Sequence, residues 1–176
     1  MSYPAANAVT VRRARTSDVR AVRSLLDAYV GAGILLDKAT VTLYESIQEF
    51  WVAERHSDGR VVGCGALHVM WEDLAEVRTL AVDPGSKGAG VGHLVLGELL
   101  RTARRLGVRR VFCLTFEVAF FAKHGFTEIG ETPVDTVDTD VYSELLRSYD
   151  EGVAEFLGLE RVKPNTLGNT RMLLHL

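Results

Sequence analysis

The stretch Lys87-Gly88-Ala89-Gly90-Val91-Gly92 carries the sharpest chemical signal in the chain. Closely spaced glycines let a backbone bend tightly and approach a ligand with its N–H groups turned outward. Helically spaced apolar residues follow, so a helix N-terminus, with unpaired donors and the positive end of its dipole, stands directly behind the turn. Together these make a cradle for phosphate or pyrophosphate. The plainer reading is a strand-to-helix connection that happens to be glycine-rich. A nucleoside-triphosphate loop requires Ser or Thr after its lysine, and Gly88 follows Lys87 instead. A dinucleotide fingerprint wants a third glycine where His93 stands, and it normally opens the first βαβ unit, whereas this turn lies mid-chain.

Such a turn needs a strand to feed it and a helix to end it. Val9–Ala14 alternates as a strand does, and Thr16-Ser17-Asp18 is an N-cap cluster before the helix stripe Val19, Val22, Leu25, Leu26, Tyr29, closed by Gly31 and Gly33. A short helix at Thr40–Gln48, a strand at Phe50–Glu54 and a turn at Ser57-Asp58-Gly59 follow. Arg60–Trp71 is a strand whose glycines mark a bend or a close backbone approach. Glu76–Val82 is the feeding strand, ended by Pro84. Beyond the turn, Leu94, Val95, Leu99, Leu100, Ala103 and Leu106 form a stripe stopped by Gly107. Arg110–Thr115 is predicted as a strand, Val118–His124 as a short helix and Phe126–Ile129 as a strand. Asp140–Leu157, with Val141, Leu145, Tyr149, Val153 and Phe156 apolar, is predicted as a helix, and Met172–Leu176 as a last strand. A meander followed by strand–turn–helix–strand predicts an α/β fold, a mixed, mostly antiparallel sheet flanked by helices. Residues 1–176 form one domain, with a loose tail at 1–8 and a C-terminal helical segment with a last strand at 131–176.

Three motifs in order resemble the GNAT acetyltransferases. Leu80-Ala81-Val82-Asp83-Pro84 with the glycine turn is similar to that superfamily's motif A, with Lys87 at a position usually Gln or Arg. Phe120-Phe121-Ala122-Lys123-His124-Gly125-Phe126 resembles its later aromatic–Gly-Phe segment, and Arg12-Arg13-Ala14-Arg15-Thr16-Ser17-Asp18 its first strand-to-helix junction. Gly33-Ile34-Leu35-Leu36, Cys64-Gly65-Ala66-Leu67, Phe112-Cys113-Leu114-Thr115 and Asn165-Thr166-Leu167-Gly168-Asn169-Thr170-Arg171-Met172-Leu173 extend the resemblance to the short, stand-alone N-acetylglutamate synthases of actinobacterial type.

The resemblance implies a GNAT fold and acetyl transfer from acetyl-CoA to the α-amine of L-glutamate, with L-glutamine as a candidate second acceptor, as in arginine biosynthesis. It implies acetyl-CoA bound by Leu80, Ala81, Val82, Lys87, Gly88, Ala89, Gly90, Val91, Gly92, His93 and Phe121, with a backbone N–H near Leu80 stabilising the oxyanion. It brings the segments of Lys38, Arg78 and Arg171 near the acceptor, with Asn165, Asn169 and Thr170 adding neutral hydrogen bonds and residues 131–176 completing the pocket. One departure stands out. Many family members have a tyrosine where this chain has Phe121, and a phenyl ring cannot protonate a leaving thiolate. A noncatalytic acetyl-CoA-binding sensor is therefore one alternative, and acetylation of another small amine or a protein N-terminus is a second.

Glu76 and Arg78 lie two apart on the feeding strand and so share a face. A carboxylate there can deprotonate the ammonium that must attack as an amine. The competing reading is an ion pair with Arg78 or a surface position beside Glu72 and Asp73. Cys64 and Cys113 read as small core residues, and His68 stands too far along its strand from Cys64 to activate it. The histidines show no metal spacing, so no metal is predicted. Arg101, Arg104, Arg105, Arg109 and Arg110 cluster where the helix dipole ends, the simpler explanation of a basic patch with no interleaved aromatics.

Composition narrows the class further. The 176 residues are 47% hydrophobic and 24% charged, with 20 Lys+Arg against 23 Asp+Glu and a net charge of −3. That excludes a disordered chain and argues against a nucleic-acid partner. The apolar runs are strand-sized, and the first ten residues lack a signal-peptide pattern, so neither membrane nor export is predicted. Two cysteines make no disulfide framework, and the expectation is a reduced cytoplasmic protein, with a homodimer as the assembly left open.

Overall fold

The computed structural model describes residues 8–35, 37–130, 137–159 and 168–176. Seven strands, β1 (Val9–Arg13), β2 (Phe50–Arg55), β3 (Val61–Trp71), β4 (Leu74–Val82), β5 (Arg110–Thr115), β6 (Thr127–Glu128) and β7 (Thr170–His175), form a sheet of order β1-β2-β3-β4-β5-β7-β6. Six helices accompany them among the described residues: α1 (Val19–Gly31), α2 (Thr40–Glu45), α3 (Val91–Leu106), α4 (Val118–Ala122), α5 (Thr139–Leu145) and α6 (Glu151–Leu157). The mixed α/β architecture matches the sequence expectation. Its pairings are antiparallel for β1–β2, β2–β3, β5–β7 and β6–β7, and parallel for β4–β5. The chain divides into two compact units, Met1–His68 with Val77–Thr102 and Val69–Glu76 with Ala103–Leu176.

In the first unit, Val19, Val22, Leu25 and Leu26 of α1 bury against Leu43 of α2 and Phe50, Val52, Cys64, Ala66 and Ala81 of the strands. The Arg12 guanidinium fixes the β1–α1 junction by donating to both Asp18 carboxylate oxygens at 2.8 and 3.0 Å and to Glu54 at 2.9 Å. The Asp18 carboxylate also accepts from the Arg15 amide at 2.7 Å, and these bonds, Arg12 first, hold it below the ordinary carboxylate range. The opposite face of β3 takes α3. A Cβ on Gly63 would stand 2.7 Å from Val91, and one on Gly65 would stand 3.0 Å from Leu80, Val95 and Leu99, so these glycines are the space in which the helix sits.

The second unit joins Leu74, Ala75 and Glu76 of β4 in parallel register to Arg110, Val111 and Phe112 of β5, and β5 runs antiparallel to β7. Phe112 and Phe156 meet edge to face at 5.3 Å inside a core that includes Leu74, Leu145, Val153, Leu157 and Leu173. Arg110 is bound to Asp73 through both Nε and Nη2, at 3.1 and 3.2 Å, so it is a paired residue rather than a member of a basic patch. Arg104 and Arg105 do stand in the last turn of α3, as the dipole reading expects.

Two predicted elements differ. The helix expected over Asp140–Leu157 is two helices, because the Ser148 hydroxyl accepts from the Asp150 amide and the Asp150 carboxylate accepts from the Val153 amide, each at 3.1 Å. Tyr149, counted in that stripe, lies in the break and is 98% exposed. In α3 the buried stripe is Val91, Val95, Leu96, Leu99, Leu100 and Ala103, while Leu94 and Leu106 face solvent. The tail expected at 1–8 and the segments 131–136 and 160–167 of the predicted C-terminal region lie largely outside the described residues.

Because α3 rests on bare backbone at Gly63, Gly63→Val should overpack this contact. The expected loss is about 1–3 kcal/mol and a fall of several degrees in Tm by calorimetry. Gly97→Ala, at a helical site whose nearest neighbour is the Arg101 guanidinium at 4.0 Å, should instead leave Tm unchanged or raise it.

Candidate active site

Strand β4 holds the residue expected to act as base and leads into the glycine turn. Glu76 is 6% exposed, with its neighbours Ala75 and Val77 also in the core, so it is an interior carboxylate and not a surface one. Burial, and after it the charge of Glu76, holds the Cys113 thiol above the ordinary cysteine range. Arg78, half-buried, follows on the same strand. Then the backbone departs from regular β structure. Thr79 has φ +60°, the left-handed region, and is the only described non-glycine residue to do so. Such a conformation on a β-branched residue is strained and persists only where the surroundings impose it.

Leu80, Ala81 and Val82 complete the strand, and the Asp83 amide donates to the Val62 carbonyl at 2.8 Å to anchor the start of the turn. Pro84–Ser86 makes a single 3₁₀ turn, and Gly88 and Gly90 both take φ +80°. No heavy atom lies within 4 Å of where a Cβ would stand on either one, so the space there is open for a ligand. The Gly90 carbonyl accepts from the Leu94 amide, which makes Gly90 the residue before the first turn of α3. Val91, Gly92 and His93 therefore belong to that first turn, where amides have no partner within the helix. The residues fit a pyrophosphate: exposed backbone at two left-handed glycines, with a sixteen-residue helix behind them.

Tyr29 is a contributor that the sequence reading missed. Its hydroxyl donates to the Val82 carbonyl, and the Lys87 ammonium stands 5.3 Å from its ring centroid. A tyrosine in a helix stripe reads as core, and only the fold reveals that its polar end holds the turn.

The residues assigned to the acceptor fall in both units. Lys38, half-buried, lies between α1 and α2, and its carbonyl accepts from Arg23. Asn169 and Thr170 are half-buried at the start of β7, with Thr170 opposite Thr115. Arg171 donates to the carbonyls of Glu155 and Phe156 at the end of α6, at 2.6 and 2.5 Å, and to Gly130 at 3.2 Å. The guanidinium thus ties down the end of α6, and its charge also acts on the Glu155 carboxylate. Asn165 lies outside the described residues. Phe121 is 5% exposed and packs edge to face on Phe120 and Phe126.

Neither cysteine serves as a nucleophile. Both are completely buried, and burial pushes the Cys64 thiol up to about 12. His68 is engaged with Glu49 at 2.8 Å. Among the described residues no cluster of His, Cys, Asp or Glu is arranged to hold a metal.

The chain matches the acetyltransferase (GNAT) family over residues 22–126, a span that contains both β4 and the glycine turn. It belongs to that family and is an acetyltransferase. It is 63% identical to the amino-acid acetyltransferase of Mycobacterium tuberculosis over 166 residues, covering 93% of this chain and 92% of that one. The crystal structure of Rv2747 from M. tuberculosis, in complex with CoA and NLQ, superposes with a TM-score of 0.88 at 61% identity, covering 95% of this chain and 99% of that one. The N-acetylglutamate synthase of Neisseria gonorrhoeae, complexed with coenzyme A and N-acetyl-glutamate, superposes with a TM-score of 0.74 at 26% identity. That match covers 96% of this chain and 35% of that one.

A side chain on Gly90 would fill the cradle and oppose φ +80°, while meeting no core atom. Gly90→Val should raise the Kd for acetyl-CoA at least tenfold by calorimetric titration, with its near-ultraviolet circular dichroism unchanged. Wild-type affinity in the folded variant would make the turn a mere connection.

Proposed function

We propose that this chain transfers the acetyl group of acetyl-CoA to the α-amine of L-glutamate, with L-glutamine as a second acceptor. The observation that carries the mechanism is the order along the chain: an interior carboxylate and a left-handed residue on β4, then the glycine cradle that follows the strand. The relatives named above support the substrate class. The pyrophosphate of acetyl-CoA rests on the amides of the Gly88–His93 turn, and Leu80, Ala81, Val82 and Phe121 line its acyl end.

Glu76 takes a proton from the substrate ammonium, directly or through one water. The freed amine attacks the thioester carbon, and the negative charge that develops on oxygen is met by the Leu80 N–H. Collapse breaks the carbon–sulfur bond, and the amide product and coenzyme A thiolate leave. The thiolate is a good leaving group, and the second proton of the attacking nitrogen, released as the amide forms, reaches it through water, since Phe121 has none to give. Lys38 and Arg78 are the cations proposed for the carboxylates, Arg171 contributes charge at the end of α6, and Asn165, Asn169 and Thr170 add hydrogen bonds. No described helix is long and apolar enough to cross a membrane, and the proposed setting is the cytoplasm, where both substrates are metabolites.

A noncatalytic acetyl-CoA sensor is the second reading, favoured by the burial of phenylalanine at the position of the usual acid. Thiol release from acetyl-CoA with glutamate, glutamine and aspartate separates the readings. Glutamate should be used best and aspartate worst, because a shorter acceptor leaves a charged group unpaired at a cost of several kcal/mol. Lys38→Ala should reduce kcat/KM for glutamate more than for glutamine; equal losses would remove Lys38 from the γ-carboxylate. No thiol release with any amine would establish the sensor.

The base assignment has its own test. Glu76→Gln should lower kcat on the order of 10²-fold and abolish the acidic limb of its pH profile. Wild-type turnover and profile would return Glu76 to a structural role.

A further inference from the structure

Cys64 is a completely buried group with no part in the acetyl transfer as written, and its surroundings show what it does. Its thiol donates to the carbonyl of Thr79 at 3.5 Å. One side chain on β3 therefore holds the β4 backbone just before Leu80, at the point where Thr79 is left-handed. The Thr79 side chain does not impose that conformation, since its hydroxyl is buried and makes no hydrogen bond.

The consequence follows from peptide geometry. The Thr79 carbonyl and the Leu80 N–H belong to one trans peptide unit and point in opposite directions. Cys64 packs with the core of α1, α2 and β2, whereas its neighbour Gly65 faces Leu80, Val95 and Leu99 on the α3 side. A carbonyl drawn toward the Cys64 sulfur therefore turns the Leu80 N–H toward the α3 side, where the glycine turn lies. We propose that Cys64 is a positioning residue whose thiol clamps the Thr79 carbonyl and thereby aims the Leu80 N–H at the thioester oxygen. This role rests on the assignment of that N–H as the oxyanion donor. Burial keeps the sulfur protonated at neutral pH, so it remains a donor throughout turnover.

The test compares Cys64→Ser, which keeps a hydroxyl donor, with Cys64→Ala and Cys64→Val, which remove it with and without loss of volume. Ala and Val should lower kcat by about tenfold, a fraction of the 10²–10³ that follows complete loss of an oxyanion donor, with KM for acetyl-CoA within about twofold of wild type. Ser should restore kcat to within about threefold. Adding Thr79→Gly to Cys64→Ala should recover part of the loss, because glycine adopts φ +60° without a clamp. Wild-type kcat in Ala and Val, or an equal loss in Ser, would overturn the clamp.

The Leu80 amide resonance separates this proposal from the one beneath it. In the wild type it should shift with acetyl-CoA relative to CoA, and in Cys64→Ala that difference should shrink. An unchanged difference in Cys64→Ala overturns the clamp and leaves the donor in place. No difference in the wild type overturns the donor assignment, and with it the catalytic purpose of the clamp.

Discussion

The left-handed backbone at Thr79 is the constraint on which the site depends. A regular strand commits its N–H and C=O groups to neighbouring strands and has none to offer a substrate. Thr79 sits at φ +60° inside β4 without ending the strand, and in the proposed mechanism the N–H that follows it serves the substrate. Burial continues to alternate across it, with Val77, Thr79 and Ala81 buried and Arg78, Leu80 and Val82 half-buried. Side chains thus keep their faces while a peptide unit is turned, which is how a core strand presents a backbone donor. A threonine at that angle costs on the order of 1–3 kcal/mol, an outlay that packing around β4 must offset.

The coenzyme end of the site relies on a second economy of space. Glycines at 63 and 65 let α3 approach β3 more closely than any side chain permits, and the buried stripe from Val91 to Ala103 holds it there. The helix is therefore rigid where its first turn meets solvent. An anion cradle needs that rigidity, because amides ordered before binding cost no entropy at the moment of binding. Tyr29 adds a tie from α1, joining the end of β4 and Lys87 through opposite ends of one ring.

Much of this was legible in the sequence. The glycine turn, the strand feeding it and the helix behind it have local signatures, since two glycines, a proline and an apolar stripe act within a few residues. The kink at Thr79 has none. Threonine is a good strand residue, and its conformation is set by a sulfur fifteen positions earlier. The tie from Tyr29 escaped the sequence for the same reason, because its polar end bonds backbone far away in the chain. The break at residues 146–150 escaped a periodicity argument because Tyr149 falls on the apolar phase, while the decisive capping bonds come from Ser148 and Asp150. Leu94 and Leu106 show the limit of a stripe read one residue out of phase, since Leu96 is the residue inside.

The central claim is that β4 offers the Leu80 N–H to the thioester oxygen and leads into the cradle that holds the pyrophosphate. A crystal structure with acetyl-CoA and glutarate, which has both carboxylates and no amine to react, examines it directly. The account predicts the thioester oxygen within roughly 2.7–3.2 Å of the Leu80 nitrogen and the pyrophosphate on the amides of the Gly88–His93 turn. A thioester oxygen held by another donor, with the Leu80 N–H bonded inside the sheet, would contradict it.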